Sequence, residues 1–125
     1  MSQEIPLSSS EIATLWMTYQ QKTMVRRILE YFIAHAEDDG AKEIMQDTYT
    51  QVVNYIEDIK KILQNEGAAI PVGYTEKDVN VGVPKLYDKM FDIMFLRLLK
   101  EISMGLHTLH LTMSYRKDMI SLYKE

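Results

Sequence analysis

The chain has 125 residues, enough for one hydrophobic core and too few for two, and its composition, 46% apolar and 26% charged, is that of an ordinary globular domain. A formal net charge of −4 speaks against a broad phosphate-binding face, so no nucleic-acid partner is expected. Cysteine is absent, which excludes disulfides, thiolate catalysis and thiolate metal sites together.

The N-terminal stretch MSQEIPLSSSE has neither the basic start nor the apolar run of a secretory signal. A first helix is expected over residues 9–37, opened by a capping box in which Ser8 and Glu11 each bond the other's backbone N–H, with Leu7 as the staple to Ile12 or its neighbours. Ile12, Leu15, Trp16 and Tyr19 recur on one face, and Trp16 reads as a packing residue. Beyond Thr23 the apolar positions Met24, Ile28, Tyr31, Phe32 and His35 move to another side, so this helix has more than one neighbour.

EDDG at 37–40 reads as an acidic turn with Gly40 at a position suited to positive φ, and so short a link makes the second helix antiparallel to the first. That helix, expected over 41–66, carries one apolar stripe from Ile44 and Met45 to Ile62 and Leu63, and Gly67 stops it. A third helix is expected over 84–113, with Pro84 at its first position, where a missing N–H costs nothing. Its stripe is Tyr87, Phe91, Met94, Leu98, Ile102, Gly105 and Leu109, and Gly105 calls for the close approach of another helix or of the preceding segment. MFDIMFLRLL, the most apolar run, is broken by Asp92 and Arg97 well short of a bilayer's thickness, so no membrane partner is expected. A short helical segment is expected over 115–124, either continuing the third helix or separate from it. Most of the nine methionines fall at core spacing.

The segment 67–83 is the most informative connection. Structureless loops of about sixteen residues are uncommon in compact domains, and this one can extend to roughly 50 Å, against about 40 Å for the second helix. It therefore can cross the whole bundle and leave the second and third helices parallel, with TEKD at 75–78 forming one capped turn and Ile70, Val72, Tyr74, Val79 and Val81 pinning it down. The expected fold is all-α: an up-down bundle of ferritin-like connectivity with a long crossover between helices two and three.

LSSSEIATLWMTYQ, EGAAIPVGYTEKDVN and GLHTLHLTMSYRKD together resemble a ferritin-like family of uncharacterised proteins from spore-forming bacteria, distantly similar to spore coat protein F. The resemblance runs from Leu7 to the end and is most specific in IPVGYTEKDVN. It implies bundles completed by a full fourth helix, often two per chain, whereas one copy is present here. It supports the fold and implies no activity.

The ferritin-like di-iron pattern needs Glu-x-x-His pairs, which place two ligands at one level of a helix, and this sequence has none. Glu30, Glu101, His35, His107 and His110 remain as scattered metal candidates, none of them assigned a metal; no cofactor is expected. His107 and His110 are the sharpest pair, but they diverge by about 60° on a helical wheel. His110 reads as a partly buried residue with a partner and His107 as an exposed one. Glu30 with Arg26 and Arg27 suits either anion binding or helical ion pairing. No phosphate loop or nucleophile elbow is visible.

The functional expectation is a non-enzymatic, cytoplasmic bundle acting through self-association or a protein partner, in sporulation or stress. The alternative is a degenerate ferritin-like protein that holds a metal ion or small apolar ligand between helices. A homodimer is expected to complete the core through Leu106, Leu109, Met113 and Tyr115.

Overall fold

The computed structural model describes residues 5–88, 90–114 and 116–124. The described residues form four α-helices and one 3-10 turn: α1 (Ser9–His35), α2 (Asp39–Asn65), the turn Glu76–Asp78, α3 (Phe91–Thr112) and α4 (Lys117–Lys124). They contain no strand, and no helix among them is long and apolar enough to cross a membrane.

Local chemistry sets the first boundaries. Both halves of the α1 capping box form: Ser8 Oγ accepts from Glu11 N at 3.2 Å and Glu11 Oε1 accepts from Ser8 N at 2.9 Å. Asp38 caps α2 by accepting from Ala41 N at 2.8 Å. Gly40 consequently lies inside the first turn of α2, and the left-handed turn expected there does not exist; the positive-φ glycines are Gly67 and Gly73. At Gly67 the amides of Gly67 and Ala68 return to the carbonyls of Gln64 and Leu63, which satisfies two orphan acceptors at the end of α2.

Contacts between helices fix their directions. Leu7 N donates to Glu66 at the far end of α2, while Arg26 meets Tyr49 midway, so α1 and α2 are antiparallel. Phe32, near the end of α1, faces Phe91 and Phe95 at the start of α3, and Thr18 faces His110 at its end, so α1 and α3 are also antiparallel. It follows that α2 and α3 run the same way. The segment between them is laid along α1. Ala69 O accepts from Trp16 Nε1 at 2.7 Å, Tyr74 N donates to Thr23 Oγ1 at 3.0 Å, and Val81 O lies 2.9 Å from His35 Nε2. Tyr31 closes the series: its hydroxyl donates to Pro84 O and accepts from Leu86 N.

This anchoring corrects the expected start of the third helix. Pro84 does not open α3, because Tyr31 engages the backbone on both sides of Lys85 and keeps the segment on α1; the helix begins at Phe91, after Met90 turns the chain at φ 76°. Thr75–Asp78 does form a capped turn. The apolar pins expected in the segment are mostly in solvent: Val72 is 85% exposed, and Tyr74 and Val81 are also exposed. Backbone hydrogen bonds to α1 side chains hold the strap instead. Trp16 belongs to this system and is exposed, not a core residue.

The core is Leu15, Leu29, Met45, Ile56, Ile59, Leu63 and Met119, joined by Leu122 and Tyr123 from the separate α4. Helix α3 is rotated away from its expected orientation. Asp92, Leu96 and His110 are its buried residues, and Phe91, Met94, Leu98, Ile102 and Leu109 are exposed. The cause is a polar α1–α3 interface. Thr18 and Lys22 of α1 bond His110 and Ser103, so polar positions turn inward and the apolar stripe turns out. Gly105 lies on that outer stripe with nothing within 4 Å of where a Cβ would stand, so neither a helix nor the strap approaches it within the chain. Met45 and Met119 are core residues, whereas Met17, Met94 and Met104 are exposed, contrary to the core role expected of most methionines.

Candidate functional site

Helix α4 has only eight described residues, and it packs beside α2 and α3 at one end of the bundle. Beyond it, α2 and α3 stand apart over α1 and leave an open groove of about 680 Å³. Lys22 projects into it from α1. Its ammonium donates to Ser103 Oγ at 2.6 Å and sits 5.1 Å from the centre of the Tyr55 ring. The residue is 8% exposed, and burial lowers its pKa from 10.5 to about 8.

His107 closes the polar end. Its imidazole stacks on Tyr55 at 5.1 Å and meets Tyr123 edge-on, with Nε2 at 3.5 Å from Ser103 Oγ. It is half-buried, not exposed as expected. Burial, then the nearby positive charge of Lys22, then His110 lower its pKa from 6.5 to about 4, so it is neutral at pH 7. The unfolded chain holds this proton more tightly between pH 4 and 6.5, and stability is therefore lost as pH falls through that window. Because the ring is only partly shielded, the loss attributable to His107 is expected to be about 1 kcal/mol. Urea titrations at pH 6.5 and 4.5 check this: His107→Gln should show a correspondingly smaller drop than the parent, and equal drops would contradict it.

Beneath the groove, Thr18 connects three elements. Its hydroxyl donates to Thr14 O at 2.7 Å, which leaves its oxygen to accept from Tyr123 Oη at 2.8 Å and from His110 Nδ1 at 3.2 Å. The proton of neutral His110 is thereby placed on Nδ1. His110 is 3% exposed and burial lowers its pKa, in line with a buried histidine that has a partner.

The remaining candidates lie elsewhere. Glu30 accepts from Arg27 Nη1 and Tyr49 Oη, both at 2.7 Å; burial acts to raise its pKa, but these two hydrogen bonds and the charges of Arg27 and Arg26 hold it below the usual carboxylate value. That cluster ties α1 to α2 and, through Arg27 Nε to Tyr74 O, to the strap. Glu101 is exposed and pairs with Arg97 at 3.5 Å. His35 is engaged with Val81 O and the Tyr31 ring. The structure brings together His107 and His110 alone, and no group of three or more His, Cys, Asp or Glu able to hold a metal occurs among the described residues. Lys22, Ser103, Tyr55, Thr18 and Tyr123 were not among the sequence candidates. Their signal is a polar row on α1, Glu11, Thr14, Thr18 and Lys22 at steps of three and four, which is all buried.

A second polar assembly closes the end of the bundle where α1 starts and α2 stops. Arg116 bonds Glu66, both carboxylate oxygens of Asp118 and Ile5 O, while its backbone N donates to Glu11 Oε2 at 3.0 Å. Residues near both ends of the chain thus meet at the end of α2.

This architecture defines a helical-bundle protein with a strap and an incompletely filled fourth position. The chain matches over residues 1–125 the family described as "Protein of unknown function (DUF3231)", and it belongs to that family. A crystal structure described as that of "a putative spore coat protein" from Bacillus halodurans C-125 is similar in fold, with a TM-score of 0.83 and 14% identity, covering 96% of this chain and 78% of the other. No curated protein matches the chain.

Proposed function

We propose that the protein is a non-enzymatic, ferritin-like helical bundle that works in the cytoplasm as a homodimer, in sporulation or stress. One observation carries the self-association: the exposed stripe of α3. Phe91, Met94, Leu98, Ile102, Gly105, Leu109 and Met113 recur at steps of three, four and four, an eleven-residue period that keeps one face of a helix against a partner. Phe91, Met94, Leu98, Ile102 and Leu109 are each 45% exposed or more, and an apolar row of this length is unusual on a monomer. Gly105 offers the point of close approach. Of the interface residues expected from sequence, Leu109 and Met113 lie on this exposed stripe, Leu106 is half-buried, and Tyr115 falls outside the described residues.

The long strap between parallel α2 and α3 supports the ferritin-like assignment. Fold similarity to a protein described as a putative spore coat protein supports the link to spores. The alternative, a ligand between helices, is favoured by a separate observation, the groove at Lys22. Light scattering after size exclusion tests the dimer. The parent should run at twice the monomer mass, and Leu98→Glu with Ile102→Glu should weaken association at least about a hundredfold by placing carboxylates in the seam. Helical content should be unchanged, since both side chains are solvent-facing in the single chain. A parent that stays monomeric at high concentration overturns the proposal.

A further inference from the structure

Lys22 is a buried cation held by one hydroxyl and the face of the Tyr55 ring. Among the described residues no carboxylate forms an ion pair with it; burial alone acts on its titration, and its one hydrogen bond is to a neutral hydroxyl. A buried ammonium in that condition is costly, and a groove opens directly above it.

The groove changes character at the level of Lys22, although Thr48 and Gln51 of α2 and Lys100 of α3 also line the side away from the head. On α1 one turn leads from Lys22 to Val25, on α2 from Tyr55 to Val52, and on α3 from His107 and Ser103 to Leu99 and Leu96. Because α1 is antiparallel to the other two, these steps all point the same way. The result is a polar head pocket joined to a channel in which Val25, Val52, Leu96 and Leu99 supply an apolar surface. From Ser103 to Leu96 the channel is about 10 Å long.

We propose that this groove binds a straight-chain monocarboxylic acid of about eight to ten carbons, with its carboxylate on Lys22 Nζ and Ser103 Oγ and its chain over Val25, Val52, Leu96 and Leu99. The carboxylate supplies the missing counter-charge, and the chain covers apolar surface that α4 leaves open. Ser103, which accepts from Lys22, retains its own proton, which can turn from His107 Nε2, 3.5 Å away, to the ligand. The other titratable groups at the groove are Tyr55 and Asp58 from α2, Lys100 and His107 from α3, and Tyr123 and Lys124 from α4. With His107 neutral, Lys22 is the buried cation at the head, and the exposed Asp58 and Lys124 line the same polar side. Leu98 of the outer stripe and Ser103 are about 140° apart around α3, so a dimer formed through that stripe leaves the groove open.

The test is calorimetric titration of the full chain with sodium decanoate at pH 7, below micelle formation, against 1-decanol and decyltrimethylammonium. Decanoate should bind once per chain and at least about tenfold more tightly than decanol, with the ammonium compound weakest. Lys22→Met should keep decanol binding and lose that preference, and in the parent the preference should shrink as pH rises above 8, by up to about tenfold per unit. Equal affinity for decanoate and decanol, a preference retained in Lys22→Met, or no saturable decanoate site overturns the proposal. So does a crystal in which a segment of a second protein chain fills the groove.

Discussion

Gly73→Ala is expected to lower stability by about 3 kcal/mol, which for a domain of this size is a drop of roughly 10 °C in Tm. Gly73 sits at φ +69°, where an L side chain is strained by about 1–2 kcal/mol. Its Cβ would also stand 2.9 Å from Tyr19 Cε1 and 3.0 Å from both Cγ2 and Oγ1 of Thr23. Neither neighbour can yield cheaply. Both are buried, and Thr23 Oγ1 is held between Gln20 O, to which it donates, and Tyr74 N, from which it accepts. The strap must therefore lift off α1, and with it go the bonds from Arg27 and to Thr23. Urea unfolding measures the loss; a change below about 1 kcal/mol would show that the strap accommodates a methyl group without leaving the helix.

Lys22→Met should act in the opposite direction and stabilise the unliganded protein by about 2 kcal/mol at pH 7. Folding lowers the pKa of this ammonium from 10.5 to about 8, so throughout that interval the unfolded chain binds the proton more tightly. Stability consequently rises as pH climbs from 8 to 10.5, and below pH 8 the full cost of burying the charge is present. Methionine keeps the stem's packing and removes the charge, leaving Ser103, which is half-buried, to find water. The gain over the parent should fade between pH 8 and 10.5. A destabilised variant at pH 7 would mean that the bond to Ser103 and the contact with Tyr55 outweigh desolvation.

What the sequence made legible was local. The Ser8–Glu11 box, the stop at Gly67 and the capped turn Thr75–Asp78 each depend on residues within five positions of one another, and the structure contains all three. The orientation of α3 was not legible, because periodicity finds an apolar face without saying that it is the inward one. Here the inward face matches His110 and Ser103 to Thr18 and Lys22, pairings across 92 and 81 residues that no window can detect. The start of α3 was misplaced for a related reason. Pro84 suits a helix start in isolation, and Tyr31, 53 residues earlier, overrides it. The candidate site was hidden by the same rule: Thr14, Thr18 and Lys22 look like a solvated row until the polar residues of α3 and α4 are placed against them.

The strap also bears on the order in which the chain assembles. Helices α1 and α2 are joined by three residues, so their pairing is local and fast. Seating the first turn of α3 directly on α1, Phe91 against Phe32, would require closing a loop of about 60 residues in one step, an entropic demand that delays nucleation. The strap divides that closure. Its anchors advance along α1 from Trp16 through Thr23 to Tyr31 while their partners advance from Ala69 through Tyr74 to Pro84. Each anchor, once made, leaves only a few residues to be searched before the next. A segment that connects two helices thus works as a zipper, delivering α3 in register to the end of α1 where its first turn must dock.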